Sequence, residues 1–252
     1  MNINISLFLH IYITMSTNYF VLSKTHQSRV DDNQENQIVY LNHRLVYILP
    51  QVNLEYYSKH GLFENRLMEW CKQFCRKDKV FLDIGAHTGT YSISFAPHCK
   101  EVHAFEPQRM TYYGLCGGIA LSHQTNVYAH NYGLGSPEQL GKQLLKIVSN
   151  DGGGSSLHHT AEEKILKTED IEIRMLDSLG LRDVGFIKMD VEDNELFVLQ
   201  GGKETIKGSG CPPIIFESNQ ENKELFSYII DEFGYNIIPI SGSPNMFLAT
   251  LN

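Results

Sequence analysis

The chain has 252 residues, 42% of them hydrophobic and 20% charged, which suits one globular domain of the larger single-core kind with room for an extension. Its formal net charge of -8 and scattered basic residues argue against a nucleic-acid partner, because neutralising phosphates takes a basic surface. The odd set of cysteines (Cys71, Cys75, Cys99, Cys116, Cys211) fits neither a disulfide framework nor a zinc spacing, so reduced thiols in a cytoplasmic setting are expected.

Residues 1–36 lack regular patterning and read as a poorly ordered N-terminal extension to a folded domain over 37–252. Within them Ile5–Met15 is apolar but too short to span a bilayer, and it lacks the basic flank and cleavage site of a secretory signal. A weak anchor is the alternative for that stretch, and no other segment is a candidate for a stable membrane span. Residues 38–49 suggest a hairpin of short strands, and Leu62 to Phe74 has apolar residues at helical spacing. From Lys79 the rhythm changes. Strands are predicted at 79–84, 101–105, 126–131, 185–190, 213–217, 235–240 and 246–250, with helices at 90–97, 109–122, 194–206 and 221–233. Alternation of this kind implies a parallel sheet covered on both faces. Only Ser-Gly-Ser-Pro-Asn separates the last two strands, too short for a helical crossover, so they form an antiparallel hairpin in which one edge strand opposes the others. Residues 134–182 interrupt the rhythm with a strand pair, 143–148 and 171–176, around a flexible Asp151-Gly-Gly-Gly-Ser-Ser156 loop. The expected class is α/β, with a Rossmann-like, doubly wound, mostly parallel seven-stranded sheet.

The first dense motif is Val80-Phe-Leu-Asp83-Ile-Gly85-Ala86-His87-Thr88-Gly89-Thr90-Tyr91. A buried strand stops at a glycine loop and runs into a helix, and Glu106-Pro107 closes the next strand about twenty residues on, where a carboxylate can take ribose hydroxyls. The proline keeps the following helix from starting early. The spacing is not the one that seats a pyrophosphate on a helix N-terminus. Asp83 stands where it repels phosphate and favours an ammonium or sulfonium. S-adenosylmethionine carries both, with a ribose and no phosphate. Asp83, Gly85, Ala86, His87, Gly89, Thr90, Glu106 and Pro107 are therefore the candidate cofactor-binding residues.

The second is Ile187-Lys-Met-Asp190-Val-Glu192-Asp-Asn-Glu195, where a strand ends among carboxylates at a helix start. Such acids offset the helix dipole. Asp190 instead faces the crevice, with Glu192 beside it and Glu217 ending the next strand. Carboxylates so close raise at least one pKa unless a cation sits among them: the cofactor's own charges, Lys188 or a divalent metal. His87 reads either as a base or as a histidine bonded to backbone. His158-His159 reads as a surface pair, and Gly152 to Gly154 as a lid or a plain loop.

From Leu62 to Leu251 these residues resemble the FkbM-type S-adenosylmethionine-dependent methyltransferases. The resemblance lies in Phe81-Leu-Asp-Ile-Gly-Ala-His-Thr-Gly89, Ala104-Phe-Glu-Pro107, Gly153-Gly-Ser-Ser-Leu157, Met175-Leu-Asp-Ser-Leu179 and Ile187-Lys-Met-Asp-Val-Glu192. It implies cofactor contacts at Asp83, Gly85, Gly89 and Glu106, an active-site position for Asp190 and Glu192, and O-methylation of a sugar, glycoconjugate or small-molecule acceptor. Two positions depart from the family pattern: His87 stands where Asn is common, and Asp193 where Gly is. A nicotinamide oxidoreductase is the rival, disfavoured by the glycine spacing and the terminal hairpin. A non-catalytic S-adenosylmethionine-binding domain is the other, made conceivable by Asp193.

Overall fold

The computed structural model describes residues 19–24, 45–149, 151–158, 161–218 and 222–251. In chain order the elements are β1 (Tyr19–Lys24), β2 (Leu45–Pro50), α1 (Leu54–His60), α2 (Asn65–Cys71), β3 (Val80–Ile84), α3 (Thr90–Phe95), β4 (Glu101–Phe105), α4 (Arg109–Leu121), β5 (Val127–His130), β6 (Gly133–Leu134), β7 (Gly141–Ile147), β8 (Lys167–Arg174), β9 (Val184–Met189), α5 (Glu195–Gly201), α6 (Lys203–Gly208), β10 (Ile214–Glu217), α7 (Lys223–Phe233), β11 (Asn236–Pro239) and β12 (Met246–Thr250).

Every residue of β3 is buried, because both of its faces are covered. The pleat sends Val80, Leu82 and Ile84 into one apolar cluster and Phe81 into another. The seven-stranded sheet has the order β11-β12-β10-β9-β3-β4-β5. The chain starts in the middle, winds out through β4 to β5, and returns to β9 on the other side of β3. The order therefore reverses at β3, and a crevice opens beyond its carboxyl end, between the neighbouring strand tips.

The C-terminal hairpin forms as its short linker demands, with Asn236 paired to Thr250 and Pro239 to Phe247. The strand expected to oppose the others at the edge is instead interior. β12 runs antiparallel to both β10 and β11 and lies between them, so the edge strand β11 runs with the rest. Linker length determines that two strands are antiparallel but not which of them lies outside.

Two further corrections concern the N-terminal half and the insertion. Tyr19–Lys24, within the stretch read as a poorly ordered extension, is a strand paired with β2 from Tyr19–Pro50 to Lys24–Leu45. The expected hairpin over 38–49 is thus represented by β2, whose described partner is β1; residues 38–44 and Ile5–Met15 lie outside the described residues. β2 crosses α4 closely. A Cβ on Gly117 would stand 2.4 Å from Ile48 Cδ1, and Ser122 Oγ both accepts from Val46 N at 2.8 Å and donates to Val46 O at 3.2 Å. The insertion is a three-stranded sheet, β6-β8-β7, in which β7 and β8 form the expected pair, running antiparallel, and β6 adds a third strand. Among the described residues no helix is long and apolar enough to cross a membrane.

Candidate active site

The turn after β3 brings two backbones into contact. Gly85 has φ +78, and a Cβ there would lie 1.8 Å from the Asp190 carbonyl oxygen. Gly89, at φ +84, caps α3, and its Cβ would meet Leu115 Cδ1 at 2.4 Å. Only glycine satisfies both the space and the left-handed backbone at these two positions. Between them His87 also adopts a positive φ of 52°, a conformation in which Asn, Asp and His are the usual non-glycine residues.

A cavity of about 280 Å³ opens above this turn. Of the residues singled out from sequence, Gly85, Ala86, His87, Thr90, Glu106, Pro107, Asp190 and Glu192 line it. Asp83 and Gly89 stand behind its wall. Asp83 is fully buried, and its Oδ2 accepts from Ser92 N at 2.9 Å and Ser92 Oγ at 2.5 Å, fastening β3 to α3. Its Oδ1 has no hydrogen-bond partner among the described residues and lies 3.9 Å from Lys188 Nζ. Burial lifts this carboxyl, against the opposing pull of Lys188.

Glu106, on the exit of β4, is 7% exposed. Its Oε2 accepts from His87 N at 2.8 Å and its Oε1 from Gln108 N at 2.9 Å. Burial pushes it up to about 7, and the two amides only partly oppose this. Each carboxylate oxygen, when ionised, keeps capacity for a further donor, and the side chain lines the cavity. His87 Nε2 lies 2.5 Å from the Asp151 carbonyl, so that nitrogen carries the proton and donates. Burial lowers its pKa and keeps the ring neutral. The histidine is thus bonded to backbone, the second of its two sequence readings.

The glycine-serine loop is tied down. Asp151 Oδ2 accepts from Asn53 Nδ2 at 3.0 Å, and Oδ1 accepts from Ser149 Oγ at 2.6 Å and Gly153 N at 3.2 Å. Gly154 N donates to Glu192 Oε1 at 2.8 Å. Glu192 is therefore engaged with the loop, and burial and the Asp190 charge raise its pKa. His158 Nε2 lies 3.0 Å from Asn194 Oδ1 and its ring stacks on Phe197; His159 lies outside the described residues.

The cation among the carboxylates is Lys188. Its Nζ donates to the Gly85 carbonyl at 2.9 Å and lies 3.3 Å from Asp190 Oδ2. Burial alone would depress this ammonium, yet Asp190 and Asp83 hold it above its usual range. Asp190 is correspondingly held low: burial opposes its ionisation, but Lys188 and a hydrogen bond with Glu217 outweigh it. Among the described residues no group of three or more His, Cys, Asp or Glu is placed to hold a metal ion.

Sequence reasoning weighed Lys188 as a cation but missed much of the wall. Asn53, Tyr57, Phe63 and Glu64 come from the segment around α1 and α2, while Leu145, Leu157, Ile171 and Ile173 come from the insertion and form an apolar side. Among the described residues, Glu64, Glu106, Asp151, Asp190 and Glu192 line the cavity against the single ammonium of Lys188. That balance suits a cationic or neutral ligand and opposes a phosphate.

A family model described as the Methyltransferase FkbM domain matches residues 83–237. A methyltransferase FkbM from Methylobacillus flagellatus is similar in structure, with a TM-score of 0.50 and 18% identity over 69% of this chain; the match spans 44% of that longer chain, less than half its length. An rRNA methylase from Streptococcus thermophilus is similar with a TM-score of 0.46 and 10% identity, over 73% of this chain and 92% of that one. A putative methyltransferase from Streptococcus mutans in complex with SAH gives 0.45 and 8%, over 74% and 96%. At these identities the likeness is one of fold. A comparison with curated protein sequences found no match.

Proposed function

The chain belongs to the FkbM methyltransferase family, and from that membership we propose that it moves a methyl group from S-adenosylmethionine to a hydroxyl of a sugar, glycoconjugate or small-molecule acceptor. The observation that carries the cofactor reading is the cavity floor: a glycine turn with no room for a side chain, a buried glutamate with acceptor capacity to spare, and five lining carboxylates against one lysine. In this reading Glu106 holds the ribose hydroxyls, Gly85 and Ala86 let the backbone approach, and the acidic surround favours the ammonium and sulfonium. Asp83 acts at one remove, by fixing the turn and biasing its charge. Gly89 shapes the helix start.

The cofactor, when bound, supplies an electrophilic methyl group. The chain's own part is to align an acceptor hydroxyl with it and to take up the proton. Alignment alone can contribute roughly 7–11 kcal/mol at best. Asp190 is the base this reading selects, since Lys188 keeps it ionised and it faces the cavity. Glu192 positions the loop that covers the acceptor side. The test is incubation with methyl-labelled S-adenosylmethionine and a panel of glycans, polyketides, lipids and proteins. Label is expected in a hydroxylated acceptor, and Asp190→Asn should keep cofactor affinity and lose turnover. Full turnover in that variant would move the base elsewhere.

A further inference from the structure

Glu217 lies outside the cavity wall, at the carboxyl end of β10. The parallel register pairs Phe216 with Met189, which sets Glu217 beside Asp190 at the sheet's edge. Two neighbouring carboxyls resist ionising together, so one of them keeps a proton that it can share with the other. Lys188 Nζ, 3.3 Å from Asp190 Oδ2, favours the anion on Asp190. The charges that act most strongly on Glu217 are those of Asp190, Glu192 and Glu195, all acidic, with the Lys188 ammonium on the far side of Asp190.

We propose that Glu217 is the positioning residue of the base, holding the proton the two carboxyls share and donating it to Asp190, so that Asp190 stays ionised and oriented toward the cavity; this rests on the reading of Asp190 as the base. It also gives the product proton a way out. As the new oxygen–carbon bond forms and the carbon–sulfur bond breaks, the acceptor's O–H bond breaks and its proton passes to Asp190. Glu217, half-buried, then loses its own proton to solvent and takes the one on Asp190. The pair returns to its starting state, and one proton is released per methyl transferred. Burial and the Asp190 charge push Glu217 up to about 8, in keeping with a group that holds its proton at neutral pH and can still release it.

The test needs no acceptor. The full chain is labelled with ¹³C at its glutamate carboxyls and followed by NMR across a pH titration. One glutamate should titrate with a midpoint near 8, its signal should vanish in Glu217→Gln, and Asp190→Asn should lower its midpoint by about one unit or more. A Glu217 that titrates in the ordinary carboxylate range, or whose midpoint ignores Asp190→Asn, overturns the proposal and leaves the base assignment standing. Full turnover of Asp190→Asn would overturn the base assignment and leave the shared proton standing.

Discussion

Glu106 shows how one side chain can link cofactor affinity to pH. It holds the amides of His87 and Gln108, so its carboxylate cannot swing away, and burial raises its pKa to about 7. A raised carboxyl stabilises the folded state at low pH, and that contribution is lost as pH rises from the ordinary carboxylate range through about 7. Ribose hydroxyls donate to the ionised form, so binding has the opposite sense and strengthens as pH rises through the same range. Calorimetry should find S-adenosylmethionine affinity falling by up to about tenfold per pH unit below 7, with that slope abolished in Glu106→Gln. At neutral pH Glu106→Ala should weaken binding by about 10- to 100-fold, as expected for loss of charge-assisted hydrogen bonds. Unchanged affinity would remove Glu106 from the cofactor site.

The two departures from the family pattern have one physical account. His87 and Asp193 stand at φ 52° and 72°, in the left-handed region. Where the resemblance leads one to expect Asn and Gly, this chain uses two other residue types that tolerate that backbone. The left-handed backbone thus accounts for the residue type at Asp193. Asp193→Gly should leave urea stability within about 1 kcal/mol, because strain relief offsets the greater freedom of glycine in the unfolded chain. Asp193→Val should cost about 1–2 kcal/mol more, since a β-branched residue is a steric outlier there.

At the scale of elements, β3, its glycine turn and α3 act as one clamp against the exit of β9. Gly85→Ala places a methyl group 1.8 Å from the Asp190 carbonyl, so β3 and β9 must separate. The expected cost is about 3 kcal/mol or more, seen as loss of the cooperative thermal transition by circular dichroism. Gly208→Ala, where a Cβ meets nothing within 4 Å, is the tolerated control. The loop over the cavity depends on Asp151 in the same way. Asp151→Ala removes the acceptors for Asn53, Ser149 and Gly153, and hydrogen exchange at the Gly153 and Gly154 amides should quicken about tenfold or more. Unchanged protection would mean that the loop is held by Glu192 and Ser155 instead.

This scale also separates what was readable in the sequence from what was not. The β3 turn and the carboxylate at the end of β4 are announced by local pattern: a buried run, fixed glycines, then an acid before proline. Strand β1 carries no such mark, because its short apolar run, Tyr19-Phe-Val-Leu22, is ambiguous until its partner is known, and that partner lies beyond a long polar stretch. Likewise nothing in Asn53, Tyr57 or Phe63 points to the cavity. They reach it because β2 lies across the glycine face of α4, a contact between segments far apart in sequence. Glu217 was visible as a strand-end acid, but its role depends on the register of β10 against β9.

For the whole molecule, the cavity draws its lining from three parts of the fold: the main sheet, the inserted three-stranded sheet, and the helices that follow the β1–β2 pair. A ligand held by all three stabilises the native chain as a unit. At about a hundred times its dissociation constant it adds about 2.7 kcal/mol, which for a chain of this size raises the melting temperature by about 5–10 °C. S-adenosylmethionine and its demethylated product should both give such a shift in a thermal melt of the full chain. NAD should not, because its diphosphate would meet Glu64, Glu106, Asp151, Asp190 and Glu192 with one lysine to offset them, and that lysine is already bonded to Gly85 and beside Asp190. A shift with NAD that equals the shift with S-adenosylmethionine would show that the acidic lining does not select the ligand, and the oxidoreductase reading would return. The same melt on Glu106→Ala separates a site effect from bulk stabilisation, since the ligand shift should shrink while the unliganded transition remains cooperative.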